Sequence, residues 1–377
     1  MNRLKIALLT TLFLWFSWNA TYAQDQGRPS PAPQVPTITV SSNLVLVPAL
    51  VKSKTGQIIF SLTADDFILT DDGIRQPVQM EPDTLSQPLA LAVIVQTGGH
   101  GASHLIDYRH LGAVLDALIG GVPHRVAVIS FDGLPRLELD FTANTDAAAL
   151  KIAALHEGDA SVAILDTLKF GIDLLRKQPP EYRRAVLLLS ETLDNGSYTS
   201  IDEAVRAVED SNIFIYSFAF SSTKATAAHE GAKLPGGSST NQPYAPGGCM
   251  SKDPKADPDA HGNRGVQALD CVSDLLPPLR LARMAFLAAK DGLKRNVPKS
   301  VAELTGGEYF VFKDATTLTR HLITISNHVP NYYVLSFRPQ SPRLGPHALE
   351  LRVKDRPGYE VKTRKGYWVD PVADAKE

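Results

Sequence analysis

Four dominantly apolar runs constrain this chain more than anything else in it: Leu89–Val95, Val126–Phe131, Ala185–Ser190 and Ile213–Phe218, broken only by single serines. A strand apolar on both faces belongs inside a parallel sheet that helices cover from either side. Helical spacing fills the gaps between the runs. Leu105, Tyr108, Leu111, Leu115 and Leu118 share one face of a helix expected over Leu105–Ile119. Ile164, Leu168, Ile172 and Leu175 share another, and Ile201, Ala204, Val205 and Val208 a third. Helix resumes over Leu279–Leu287 and Lys299–Leu304, where Gly306-Gly307 stops it. A strand at Tyr309–Phe312 and a helix over Ala315–Ser326 follow. The expectation is a doubly wound α/β domain with a mostly parallel sheet over residues 87–328.

The flanks follow a different period. Residues 37–86 hold β-rich stretches (Leu44–Val47, Ala49–Val51, Phe67–Leu69), and Asp72-Gly73 signals a hairpin. Residues 329–372 hold Tyr332–Phe337, His347–Val353 and Tyr359–Thr363, which alternate with period two. Neither flank has enough strands to bury a core alone. Together they are expected to form one small β-sandwich into which the α/β domain is inserted.

Met1–Ala23 has a basic head, an apolar stretch from Ile6 to Trp18 and a small-residue end, the parts of a secretory signal peptide cut after Ala23. Residues 24–36, with four prolines, read as an extended linker. The expected location is secreted or periplasmic, without a stable membrane anchor after cleavage. Losing the leader takes formal charge from -2 to -4, against nucleic acid as a partner. Residues 221–275 are rich in Ser, Gly and Pro and read as an insertion. They hold Cys249 and Cys271, the two cysteines of the chain. In an oxidising compartment such a pair is expected to be bridged.

The ordered fragments resemble a known family. Val45–Val51, Leu62–Phe67, Val128–Phe131, Phe141-Thr142, Ile164–Leu168, Leu188–Glu191, Glu303–Gly307, Tyr332–Leu335 and Lys365–Tyr367 are similar, in this order, to the von Willebrand factor A-related proteins of acidobacteria. The resemblance implies a Rossmann-like sheet with a metal-ion-dependent adhesion site at its strand tips. That site takes Asp-x-Ser-x-Ser after the first strand, a Thr opening a later helix and an Asp after the fourth strand. Here those positions fall on Gln96, Gly98 and His100, on Val162 (counting back from Asp166, with Ser161 beside it), and on Glu191. One carboxylate and a neutral amide do not offset the desolvation of a divalent cation. The expectation is no metal and no cofactor there. A strand-tip pocket survives either as a rebuilt binding site or as loops that drifted.

Other patterns are weaker. His261 between the cysteines gives three zinc ligands at unfamiliar spacing. Asp257–Gly262 imitates the start of a calcium loop, but Ala268 stands where the bidentate acid belongs. Ser221–Lys224 has a Ser-x-x-Lys spacing after a strand, without the partner motifs of that enzyme class. Gly98–Gly101 is glycine-rich without a phosphate-loop pattern and reads as a tight turn. Asp65-Asp66 and Asp71-Asp72 read as solvated turn acids. No nucleophile, base and orienting group form a set. The expected function is a non-enzymatic module that binds a protein partner. The competing readings are a secreted hydrolase using Glu191 and His100 as base and acid, and a structural envelope component.

Overall fold

The computed structural model describes residues 44–81, 87–109, 111–220, 277–339 and 343–370. The signal peptide, the proline-rich linker, Ser221–Lys224, the calcium-like loop with His261, and the Cys249–Cys271 bridge therefore lie outside the described residues.

The central sheet has six strands: β5 (Leu89–Gln96), β6 (His124–Phe131), β7 (Pro135–Thr142), β8 (Arg183–Ser190), β9 (Phe214–Phe220) and β10 (Tyr309–Phe312). Their order is β10-β9-β8-β5-β6-β7, parallel throughout except for β7, which returns antiparallel beside β6. Strand β5 is buried along its whole length. Its odd residues, Leu89, Leu91, Val93 and Val95, join one apolar core, and Ala90, Ala92 and Ile94 join the core on the opposite face. Alternation of side chains along a strand produces this division, so a continuous apolar run is what a two-sided burial demands.

Helices α1 (Leu111–Ile119), α2 (Thr145–Ala153) and α7 (Ala315–His328) supply the first core with Leu115, Ile152 and Leu322. Helices α3 (Ile164–Arg176), α4 (Ile201–Glu209), α5 (Pro277–Arg295) and α6 (Val297–Thr305) supply the second with Ile172, Val205, Leu293 and Val301. The helix expected over Leu105–Ile119 is divided. Gly99–Tyr108 is a 3-10 stretch and the α-helix begins at Leu111. The 3-10 stretch packs closely on the end of β5 at Gly101, where an added Cβ would lie 2.6 Å from the Gln96 carbonyl. Tyr108, Leu111, Leu115 and Leu118 are nevertheless all buried.

Eight flanking strands form two antiparallel sheets. One is β13-β1-β11-β4, with β1 (Val45–Lys52), β4 (Gln79–Met80), β11 (Tyr333–Phe337) and β13 (Glu360–Thr363). The other is β14-β12-β2-β3, with β2 (Phe67–Asp71), β3 (Ile74–Gln76), β12 (Gly345–Val353) and β14 (Gly366–Val369). Val47, Leu69, Leu335 and Leu351 belong to one apolar core between them. The β2–β3 turn is Asp72-Gly73, with φ of +50° and +83° and Asp71 opposite Ile74. This two-residue turn matches strand twist because both central residues take positive φ.

Arg364 ties these sheets to the central one. It is buried, its Nε–H donates to Gly366 O (2.8 Å), and its amino groups donate to Asn212 Oδ1 (2.9 Å), Leu46 O (3.3 Å) and Glu209 O. Burial, opposed by the Glu209 charge, lowers Arg364 to about 10. Burial also raises the Glu209 carboxyl to about 7 although Arg364 counters it. Among the described residues no helix is long and apolar enough to cross a membrane.

Candidate functional site

The chain lays β6 and β7 on one side of β5, then crosses to lay β8, β9 and β10 on the other. The switch point therefore falls between β5 and β8, and loops leaving the carboxyl ends of β5, β6 and β8 converge there.

Gln96 ends β5 and is fully buried. Its amide Nε2–H donates to Gly98 O (2.9 Å), and its Oε1 accepts the Glu191 N–H (2.8 Å), which joins the tips of β5 and β8. Thr97 ties β5 to β6: its N–H and its hydroxyl both donate to Phe131 O, at 2.8 and 3.0 Å. Gly98 tolerates no side chain, since a Cβ would stand 2.5 Å from Asp159 O and 2.6 Å from Asp132 Cβ. Glu191 is buried at the tip of β8, its carbonyl accepting the Ser190 hydroxyl (3.0 Å). Val162 is buried too. Its N–H donates to Asn195 Oδ1 (3.0 Å), and its side chain joins the core. His100 is exposed on the 3-10 stretch, where its carbonyl accepts the Ser103 hydroxyl (2.8 Å). The structure thus gathers Gln96, Gly98 and Glu191 at one point, sets Val162 beneath Gly99 and turns His100 outward.

Three acids absent from the sequence-derived set complete the tip. Asp132 follows β6 and is buried. Its two oxygens take both amino groups of Arg136 (3.1 and 2.8 Å) and the N–H groups of Leu134 and Asp159 (3.1 Å each). Burial resists ionisation, but the guanidinium and the two N–H groups outweigh it and hold the carboxyl at about 2. Asp194 Oδ1 accepts the Ile164 and Leu165 N–H groups (2.7 and 3.2 Å), so an acid from the β8–α4 loop caps α3. Asp166 Oδ2 and Oδ1 accept the N–H groups of Tyr198 and Thr199 (2.9 and 2.7 Å). The sequence did carry a signal for two of these acids. Asp132-Gly133 and Asp194-Asn195-Gly196 are turn motifs placed just after apolar runs.

These residues offer a divalent cation few free oxygens. Both polar atoms of the Gln96 amide are engaged, the Asp132 carboxylate is paired with Arg136, and Val162 has no side-chain oxygen. A small dication wants several oxygens free to converge on it.

A second buried polar cluster lies in the sandwich. Asp71, Asp72 and His347 are, among the described residues, the group of metal-ligand type whose atoms lie within 4.8 Å of one another. Asp71-Asp72, expected to be solvated, are only 6% and 5% exposed, because β12 and β14 cover the hairpin. His347 Nδ1 meets Asp71 Oδ1 at 3.0 Å and Asp72 Oδ2 at 3.1 Å, while its Nε2 meets Arg343 O at 3.0 Å. Carboxylates and a carbonyl only accept, so both ring nitrogens carry hydrogen. Burial works against this charge, but the two acids and the carbonyl raise the imidazole to about 9. Tyr367 donates to Asp71 Oδ2 (2.8 Å), Arg343 to Asp72 Oδ2 (2.7 Å) and the Ala348 N–H to Asp72 Oδ1 (2.8 Å). The cluster is thus a charged imidazole held between two carboxylates.

No family model matches the sequence, and no curated protein matches it. Solved structures do. A von Willebrand factor type A protein from Catenulispora acidiphila matches with 9% identity and a TM-score of 0.40, over 88% of this chain and 75% of that one. The proximal thread matrix protein 1 of the mussel byssus matches with 8% identity and a TM-score of 0.38, over 74% of this chain; this chain spans 50% of the mussel protein's length. The conserved hypothetical protein BatB from Bacteroides thetaiotaomicron matches with 13% identity and a TM-score of 0.35, over 64% of this chain and 99% of that one. Scores of this size place no residue and no role. The mixed α/β architecture with its mostly parallel centre stands on the strand order itself.

Proposed function

We propose that this chain is an exported, non-enzymatic module that binds a protein partner through its strand-tip loops, without a divalent cation. Export rests on the leader-like pattern of Met1–Ala23. One observation carries the binding reading. Two of the most exposed large apolar side chains, Tyr198 (90%) and Leu134 (61%), stand on tip loops whose own N–H groups are held by the acids Asp166 and Asp132. Exposed apolar anchors on backbone that is already fixed lose little entropy on docking, which is what a binding hot spot requires. The cation-free part of this reading is supported by the hydrogen bonds that engage Gln96 and by the pairing of Asp132 with Arg136.

Affinity capture from an envelope extract tests this. The captured protein is expected to remain bound in EDTA and to be lost when a Tyr198→Ala, Leu134→Ser double variant is the bait. Loss on chelation would remove the cation-free claim. Equal capture by the double variant would remove the surface.

A further inference from the structure

The opposite end of the central sheet holds a cavity with a chemistry of its own. It lies at the amino ends of β5, β8 and β9, beneath the last turns of α1 and α7 and against the start of β11. Leu118 and Phe214 are among its apolar walls. The cavity volume is about 40 Å³. The sphere that stands for one water occupies roughly 10–15 Å³, so the space exceeds a single solvent site.

Three polar side chains line it with unused capacity. Tyr332 is only 8% exposed, and its hydroxyl is buried without a hydrogen-bond partner. Arg184 donates one amino group to Gln178 O (3.0 Å), while its Nε–H is buried and unpartnered. Arg183, half-buried beside it, has only a long contact from its Nε to Gln87 O (3.5 Å). Among the described residues, neither arginine lies within ion-pair distance of an acid. The nearby buried acid Glu308 is already compensated by His328 (2.7 Å), Lys362 (3.5 Å) and Lys52 (3.9 Å). Cations drawn into an apolar wall without a counter-ion are uncommon, because desolvation is repaid only by a partner charge. The Nε edge of a guanidinium also presents two parallel N–H groups, which match a carboxylate.

We propose that this cavity binds a small monocarboxylic acid with a compact apolar body, a single aromatic ring or a short alkyl chain. The carboxylate meets Arg184 and Arg183, the Tyr332 hydroxyl donates to it, and the body lies between Leu118 and Phe214. The apolar lining suits a carboxylate that carries an apolar body better than a compact inorganic anion, which would leave Leu118 and Phe214 without a partner. This site is separate from the strand tips, so it stands or falls independently of the partner-binding reading.

Titration of the full chain with benzoate and butyrate, followed by NMR shifts, tests the proposal, with benzyl alcohol as the neutral counterpart. Saturable benzoate binding is expected, roughly tenfold tighter than benzyl alcohol, for a charge-assisted contact in a partly dry site. Arg184→Gln should remove that margin and leave benzyl alcohol binding unchanged. Tyr332→Phe should weaken benzoate by about threefold to tenfold, and Leu118→Trp should abolish binding of both compounds by filling the cavity. The proposal is overturned if neither acid binds saturably, or if benzoate binds Arg184→Gln and Leu118→Trp as it binds the unaltered chain.

Discussion

The strand tips and the sandwich hairpin both bury hydrogen-bonding side chains, but they satisfy them in different ways. At the tips, the central bridge is a neutral amide, Gln96, which spends its donor on Gly98 and its acceptor on Glu191. In the hairpin, the centre is a charged imidazole between two carboxylates, with Arg343 adding a further positive charge. A neutral bridge whose donor and acceptor are both used carries no titrating group, so the Gln96 link itself does not vary with pH. A charged centre is costly to bury and pays only when complete, so losing one member leaves the others exposed to the full penalty. The sandwich cluster also joins positions far apart in the chain, Asp71-Asp72 with Arg343, His347 and Tyr367. The difference teaches that the hairpin is the fastener of the fold, while the tips are a pre-set surface.

The sharpest way to break this contrast is to empty the imidazolium position. His347→Leu should destabilise the chain by roughly 3–5 kcal/mol at pH 7, the usual cost of stranding a buried charged partner. Urea unfolding measures it, and a loss below about 1 kcal/mol would reduce the hairpin to the standing of an ordinary surface pair. A pH series follows from the same residue. His347 is raised in the folded chain from 6.5 to about 9. Its contribution is therefore complete below about pH 6.5 and fades as pH climbs through about 9. The expected loss is on the order of 2–3 kcal/mol, and His347→Leu should not show it. At the acid end the sign reverses. The Asp132 carboxyl, lowered from 3.8 to about 2, contributes above its unfolded value and is lost as pH falls toward 2.

Gln96→Leu tests the tips. It leaves the Gly98 carbonyl and the Glu191 N–H without their partner, at a cost of roughly 1–3 kcal/mol that should barely vary between pH 6 and 9. A strong pH dependence in that variant would mean the tip is charge-organised after all. The smallest effect belongs to Tyr198→Ala. Stability should move by no more than about 0.5 kcal/mol, while capture of the partner falls. Thermal unfolding and the capture assay together separate a surface role from a structural one.

Much of the architecture was readable in advance. Runs such as Leu89–Val95 name their own environment, because an apolar residue at every position of a strand requires a cover on both faces. Asp72-Gly73 predicted its hairpin because two consecutive positive-φ residues are needed in a two-residue turn. The site was read less completely. Gln96, Gly98, Val162 and Glu191 were singled out, yet their hydrogen-bond partners were not. The tip acids Asp132 and Asp194 went unnoticed, since each looks like an ordinary turn residue until the neighbouring loop arrives. Asp71 and Asp72 were misjudged as solvated for a related reason: their cover comes from strands about 275 residues away.

Local spacing therefore settled most of the strands and helices and their apolar faces, though not β7, α2 or the 3-10 stretch before α1, because those preferences act between residues a few positions apart. Whether a polar side chain is wet, paired or charged was settled by the folded chain alone. Desolvation and Coulomb attraction depend on what packs against a group, and for Asp132, Asp71, His347 and Arg364 the packing partners lie on other elements or across a turn that only the finished sheet order holds in place.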